Sequence, residues 1–230
     1  MMASASVLTP IPNTAREQRS MAWKKYRFGT QFYDALSGEW AVYRSGRVAG
    51  IALMGLNAGD TVVDIGCGTG LSFELLVDAV GPTGQVIGVD ASAQMLQVAA
   101  KRAVRNGWSN VRVVQADATQ LSAADLAIDG SVPRVDALFS AYALSVMGNH
   151  STVLARAQRL LAPGGRVGIV DMQRPVGAAK IFTPLARLAC RMGGADIEAH
   201  PWEWLIQRAE NVTQLSRRGG HIQAVAGTLK

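Results

Sequence analysis

A chain of 230 residues, 49% hydrophobic and 17% charged, is long enough for one well-cored α/β domain and short for two. Its formal charge of +6 leaves nucleic acid, an anionic membrane surface and acidic small molecules open as partners. Cys67 and Cys190 lie far apart and form no CxxC pair or Cys/His cluster, which argues against a zinc site and for two reduced thiols in a reducing cytosol.

Residues 1–15, rich in Ser, Ala, Thr and Pro, read as a disordered tail. No basic segment leads into a long apolar core there, so no signal peptide is expected. No apolar run reaches the roughly 18 residues that cross a bilayer. The expectation is a soluble, cytoplasmic protein, with peripheral membrane contact left open. Residues 16–56 read as a helical amino-terminal lid with breaks near Gly29, Ser37-Gly38 and Ser45-Gly46.

Residues 57–230 then alternate strand and helix. The β-branched run 61–65 predicts a strand covered on both faces. Phe73, Leu76, Val77 and Val80 recur at helical spacing, and Gly81-Pro82-Thr83-Gly84 stops that helix. Strand 86–89 follows, then a helix capped by Ser92 with Met95, Leu96, Ala99 and Ala103 inward, ended by Asn106-Gly107. Strands are expected at 111–114, 135–139 and 166–170. A helix through Val153, Leu154, Ala157, Leu160 and Leu161 separates the last two and ends at Pro163-Gly164-Gly165. Residues 175–210 look helical, with Ile181, Leu185, Leu188 and Met192 on one face and Pro184 and Pro201 as breaks. Segments 211–218 and 221–229 flank Gly219-Gly220, a hairpin signal. Repeated strand–helix–strand units imply a doubly wound, mostly parallel sheet with an antiparallel pair at one edge.

The first strand runs into Asp64-Ile65-Gly66-Cys67-Gly68-Thr69-Gly70. Glycines there permit a tight turn and let a ligand approach the backbone. The next helix offers free N–H groups at its start. A glycine turn alone is weak evidence, but two further strand ends supply acids. Asp90 lies twenty positions after Gly70, where a carboxylate can accept from both ribose hydroxyls, and Asp117-Ala118 can receive an adenine amino group. The glycine spacing is G-x-G-x-G, with Leu71 following, and not the G-x-G-x-x-G of dinucleotide sites. Asp64 before the glycines would repel a phosphate and suits an ammonium or sulfonium group. Together these favour S-adenosylmethionine over NAD.

The stretch Val62-Val63-Asp64-Ile65-Gly66-Cys67-Gly68-Thr69-Gly70 resembles the first motif of class I S-adenosylmethionine-dependent methyltransferases. Val86-Ile87-Gly88-Val89-Asp90-Ala91-Ser92 and Gln115-Ala116-Asp117-Ala118 resemble the next two, and Leu160-Leu161-Ala162-Pro163-Gly164-Gly165-Arg166 is similar to the turn before their fifth strand. The resemblance implies an α/β, Rossmann-like, seven-stranded fold, with residues 57–230 as the cofactor-binding methyltransferase domain. It implies that Asp90 binds the ribose, Asp117 and Ala118 the adenine, and Gly66, Gly68 and Gly70 the methionyl half. Asp64, Cys67, Thr69, Ala91 and Ser140 complete the expected pocket. Phe32-Tyr33-Asp34-Ala35-Leu36-Ser37 and Asn106-Gly107-Trp108-Ser109-Asn110-Val111 look like the group that holds quinone C-methyltransferases and bacterial phospholipid N-methyltransferases.

The expected acceptor is therefore a lipid-like or hydrophobic small molecule. Trp23, Tyr26, Phe28, Phe32, Tyr33, Trp40 and Tyr43 alternate with Arg16, Arg19, Lys24, Lys25, Arg27, Arg44 and Arg47. Such a segment fits docking to an anionic bilayer, or a lid whose aromatics cover the cofactor. Tyr142, just past the fourth strand, and His200, in His200-Pro201-Trp202-Glu203-Trp204-Leu205, are the candidate catalytic residues on the acceptor side. A sulfonium methyl is already activated, so no nucleophile or metal is expected. Nucleic-acid methylation is disfavoured, because Ser140-Ala141-Tyr142-Ala143-Leu144 stands where base-flipping amino-methyltransferases carry Asn/Asp-Pro-Pro-aromatic. A protein that binds S-adenosylmethionine without transferring its methyl group is the alternative from another class.

Overall fold

The computed structural model describes residues 43–229. The expected tail at 1–15, most of the expected lid at 16–56 and the aromatic residues from Trp23 to Trp40 lie outside the described residues. Seven strands form one sheet in the order β3-β2-β1-β4-β5-β7-β6. They are β1 (Thr61–Ile65), β2 (Gln85–Asp90), β3 (Val111–Gln115), β4 (Val135–Ala141), β5 (Leu161–Met172), β6 (Ala209–Arg217) and β7 (Ile222–Leu229). β1 to β5 run parallel, and β7 inserts antiparallel between β5 and β6. The strand order reverses at β1, where β2 pairs on one side and β4 on the other. That switch point opens a crevice at the carboxyl ends of the strands.

Helices cover both faces, so β1 and β2 are buried along most of their length. On one face α1 (Arg44–Met54), α2 (Phe73–Val80) and α3 (Ala93–Arg105) bury Met54, Leu76, Leu96 and Ala99 against Val62, Val86 and Phe139. On the other, α4 (His150–Gln158) and α6 (Trp202–Ile206) bury Leu154, Ala157, Trp202 and Leu205 against Val63, Ile87 and Leu138. α5 (Thr183–Gly193) packs only Ala186 and Cys190, beside Met172 and Ile197. Ser92 caps α3 as its position predicts, accepting from the Met95 N–H at 3.3 Å.

The structure departs from four local expectations. The helix expected to run through Leu160 and Leu161 to Pro163-Gly164-Gly165 ends at Gln158, because Leu161 pairs with Val135 and that segment opens β5. Ser45-Gly46 does not break the first helix but lies inside α1. Gly46 is there for proximity: a Cβ on it would stand 2.0 Å from the Tyr142 hydroxyl. Residues 175–210 are not one interrupted helix but a 3-10 turn (Gly177–Phe182), α5 and the short α6. Pro184 falls in the first turn of α5, where its missing N–H leaves no hydrogen bond unmade. The hairpin forms, with β6 starting two residues earlier than expected and its register shifting between Glu210 and Thr213. Among the described residues no helix is long and apolar enough to cross a membrane.

Candidate functional site at the carboxyl ends of the strands

β1 delivers the chain into the glycine loop, and the loop is clipped to the end of β2. The Gly66 and Cys67 N–H groups both donate to the Val89 carbonyl, at 2.8 and 3.1 Å. The Gly68 N–H donates to Asp90 Oδ2 at 2.9 Å, and the Ser92 N–H donates to Oδ1 at 2.8 Å. One carboxylate thus fixes both the loop and the start of α3. Gly66 has φ +69°, and a Cβ there would meet the Ala143 methyl at 2.4 Å, so no other residue fits under the segment after β4.

Asp64 is buried at the base of this loop, and its Oδ2 has no hydrogen-bond partner among the described residues. Burial pushes its carboxyl up to about 7. The Arg47 guanidinium opposes that shift, the nearby Asp90 charge adds to it, and a hydrogen bond from the Ser72 side chain opposes it. Asp90 is also raised by burial, against the hydrogen bonds from Ser92, Gly68 and Ala91. A buried acceptor without a donor, beside a second acid, is an arrangement that a cationic ligand group completes. Gly68, at φ +54°, faces open space where a side chain would intrude. These features fit the aminoacyl and ribosyl parts of S-adenosylmethionine.

At the end of β3 the Asp117 Oδ1 accepts from the Thr119 N–H and hydroxyl, at 2.9 and 2.7 Å. Ala118 beside it is buried in the apolar cluster of that face, while Ala91 is exposed at the end of β2. The Thr69 carbonyl accepts from Arg102 Nε at 2.9 Å, tying the loop to α3. Gly70 packs on the Phe73 ring. Cys67 turns into the core beside Gly88 and Phe73, and burial pushes its thiol well above the ordinary value. The Ser140 hydroxyl is buried and donates to the Ile65 carbonyl at 2.9 Å, so it braces β4 against β1.

Tyr142 sits on the opposite wall in a left-handed conformation, φ +58°. Its N–H donates to the Val170 carbonyl and its hydroxyl to the Tyr43 carbonyl, both at 2.8 Å. The Tyr43 ring stands edge-on at 4.9 Å, and the Arg47 guanidinium lies 5.0 Å from the Tyr142 ring centre. His200 makes its contacts within its own segment. Its Nδ1 lies 3.5 Å from Glu203, and its ring leans on Trp202, which belongs to the core of the other sheet face.

Two residues that sequence reasoning did not single out complete the wall. Asp171, buried at the end of β5, accepts from the Ser145 hydroxyl at 2.6 Å and from the Ser145 and Met172 N–H groups, each at 2.9 Å. It anchors the segment that carries Tyr142 and covers Gly66. An acid closing the apolar run Val167-Gly168-Ile169-Val170 was the available signal. Arg47 gave none, being one base among many in its segment. An open groove of about 560 Å³ between α1 and β6, lined by Val48, Ala52 and Leu215 among others, includes no glycine-loop residue and lies apart from this site.

A family model described as a methyltransferase domain matches residues 56–214, and the chain belongs to that family. The motif resemblance and the expected seven-stranded class I fold therefore both hold. The chain is similar to a ubiquinone/menaquinone biosynthesis C-methyltransferase of Pseudomonas fluorescens, 35% identical over 63% of this chain and 54% of that one. It is also similar to a 2-phytyl-1,4-naphtoquinone methyltransferase of Synechococcus elongatus, 34% identical over 67% of this chain and 62% of that one. The chain thus spans between half and two thirds of the length of these curated relatives. In fold it is similar to a SAM-dependent methyltransferase from Aquifex aeolicus, with a TM-score of 0.64, 19% identity, and coverage of 89% of this chain and 100% of that one.

Proposed function

We propose that the protein is an S-adenosylmethionine-dependent methyltransferase acting on a hydrophobic, quinone-type or other lipid-like small molecule, in the cytoplasm and at a membrane surface. The observation that carries the cofactor half is the buried, unpartnered oxygen of Asp64 beside a glycine loop that Asp90 holds in place. The names of the relatives support the acceptor class. No metal enters the proposal, and nucleic acid is not a substrate in it.

Bound S-adenosylmethionine supplies an activated methyl group on sulfur. Asp64 holds the ammonium of its aminoacyl end, with Gly66, Gly68 and Gly70 keeping the backbone close. Asp90 accepts from the ribose, and Asp117 with Ala118 receives the adenine; Cys67, Thr69, Ala91 and Ser140 shape the loop and strand ends around them. Tyr142 and Tyr43 form an aromatic wall that orients a planar acceptor and excludes water, so alignment supplies most of the catalysis. A role for His200 as the acceptor's base belongs to the same proposal. His200→Ala tests it: turnover unchanged on the correct acceptor removes His200 from the site.

Incubation with methyl-labelled S-adenosylmethionine and fractionated cell extract tests the whole reading. Label in the lipid fraction is expected. Label confined to protein or RNA overturns the acceptor class, and tight binding with no turnover on any fraction leaves a binding protein in place of an enzyme.

A further inference from the structure

α5 and the 3-10 turn before it present their apolar row outward. Ile181, Leu185, Leu188 and Met192 recur at helical spacing and are 77%, 65%, 56% and 75% exposed, with Phe182 adding a fifth exposed apolar side chain. Ala186 and Cys190 supply the packed row on the opposite side of the helix. Val176, which precedes the turn, is also exposed, while Val104 and Ile206 are exposed on other helices. A contiguous patch of this kind marks a contact surface.

Charge decides what covers it. Lys180, Arg187 and Arg191 form a second row about a quarter-turn around the helix from the apolar one. Glu198 engages Arg174 and lies 3.9 Å from Arg187, while Lys180 and Arg191 have no acidic partner among the described residues. A second copy of this chain would set like charges against each other. Residues 1–42 carry five basic residues against three acidic ones and would do the same. An anionic bilayer offers hydrocarbon for the apolar row and phosphate for the basic one.

We infer that α5 and the turn before it are a membrane-docking element, seating Ile181, Phe182, Leu185, Leu188 and Met192 in the interface of an anionic bilayer. This rests on the lipid-acceptor reading for its purpose. The inner side of α5 packs beside Met172, Tyr43 and Tyr142, so docking brings the acceptor wall to the surface where a lipid-like acceptor partitions.

Co-sedimentation of the full chain with phosphatidylcholine vesicles, with and without phosphatidylglycerol, tests the inference without substrate or turnover. Binding to the phosphatidylglycerol vesicles that weakens with salt is expected. Leu185→Glu with Leu188→Glu, and separately Lys180→Glu with Arg191→Glu, should each weaken it about tenfold or more. Val104→Glu should leave it unchanged. All these positions are exposed, and unchanged S-adenosylmethionine affinity in each variant verifies the fold. Wild-type protein that ignores both vesicles overturns the inference. So does undiminished binding by the Leu185/Leu188 variant, or a dimer in solution that this variant dissolves. Vesicle binding through α5 by a protein that transfers no methyl group would sink only the proposed function.

Discussion

Asp64 and Asp171 are buried carboxylates with different neighbours, and the difference separates a binding role from a structural one. Asp171 has three protein donors, whereas Asp64 keeps an oxygen without any among the described residues. Because the Asp64 carboxyl is raised to about 7, its affinity for a cationic group should be fullest above that pH. Each unit below it should weaken S-adenosylmethionine binding by up to about tenfold, and Asp64→Asn should bind weakly with no such pH dependence. A titration series at several pH values checks this; a wild-type affinity that is flat from weakly acid to weakly alkaline pH contradicts it. Asp171 is raised to about 6 from an ordinary 3.8, so the fold binds its proton more tightly than the unfolded chain does. Its contribution is greatest below the unfolded value and is lost as pH rises through about 6. Relative to wild type, Asp171→Asn should therefore gain thermal stability between those limits as pH rises. Asp171→Ala strands the buried Ser145 and Met172 donors and should cost roughly 2–4 kcal/mol in denaturant unfolding.

At the scale of elements, α1 is seated by what it lacks. Gly46 lets the helix backbone approach the Tyr142 hydroxyl and Val170, and the Tyr43 carbonyl at its amino end receives that hydroxyl. Gly46→Ala should cost about 1–3 kcal/mol by overpacking and should raise KM for the acceptor more than for the cofactor, because it pushes on the Tyr142 wall. Unchanged stability would show that the helix shifts freely, against the packing described. The elements around the glycine loop were legible in the sequence because strand period, glycine punctuation and the Ser92 cap all act within a few residues. The role of Gly46 was not, since the same glycine reads as a break until its partner almost a hundred residues away is in view. The apolar row of α5 was legible as a row, but periodicity cannot say which side of a helix is buried. Met172, Ile197 and Tyr142 pack on the Ala186 side and leave Leu188 out.

At the scale of the molecule, the reversal of strand order at β1 gathers Asp64, Asp90 and Asp117 at one edge of the sheet. Motif spacing predicted that gathering, because a parallel sheet places successive strand ends side by side. The acceptor wall was less legible: Tyr142 could be located just past β4, while Tyr43, Arg47 and Asp171 join it only through long-range packing. His200, chosen for its company of tryptophan and glutamate, has its contacts there and not with Tyr142. The central claim is that the glycine loop and its acids bind S-adenosylmethionine, and calorimetric titration of that cofactor into wild type and Asp90→Ala tests it most directly. Saturable one-to-one binding that Asp90→Ala weakens by about a hundredfold or more, with the variant still folded, is the predicted result. Equal affinity in the two proteins, or no binding to either, would contradict the account.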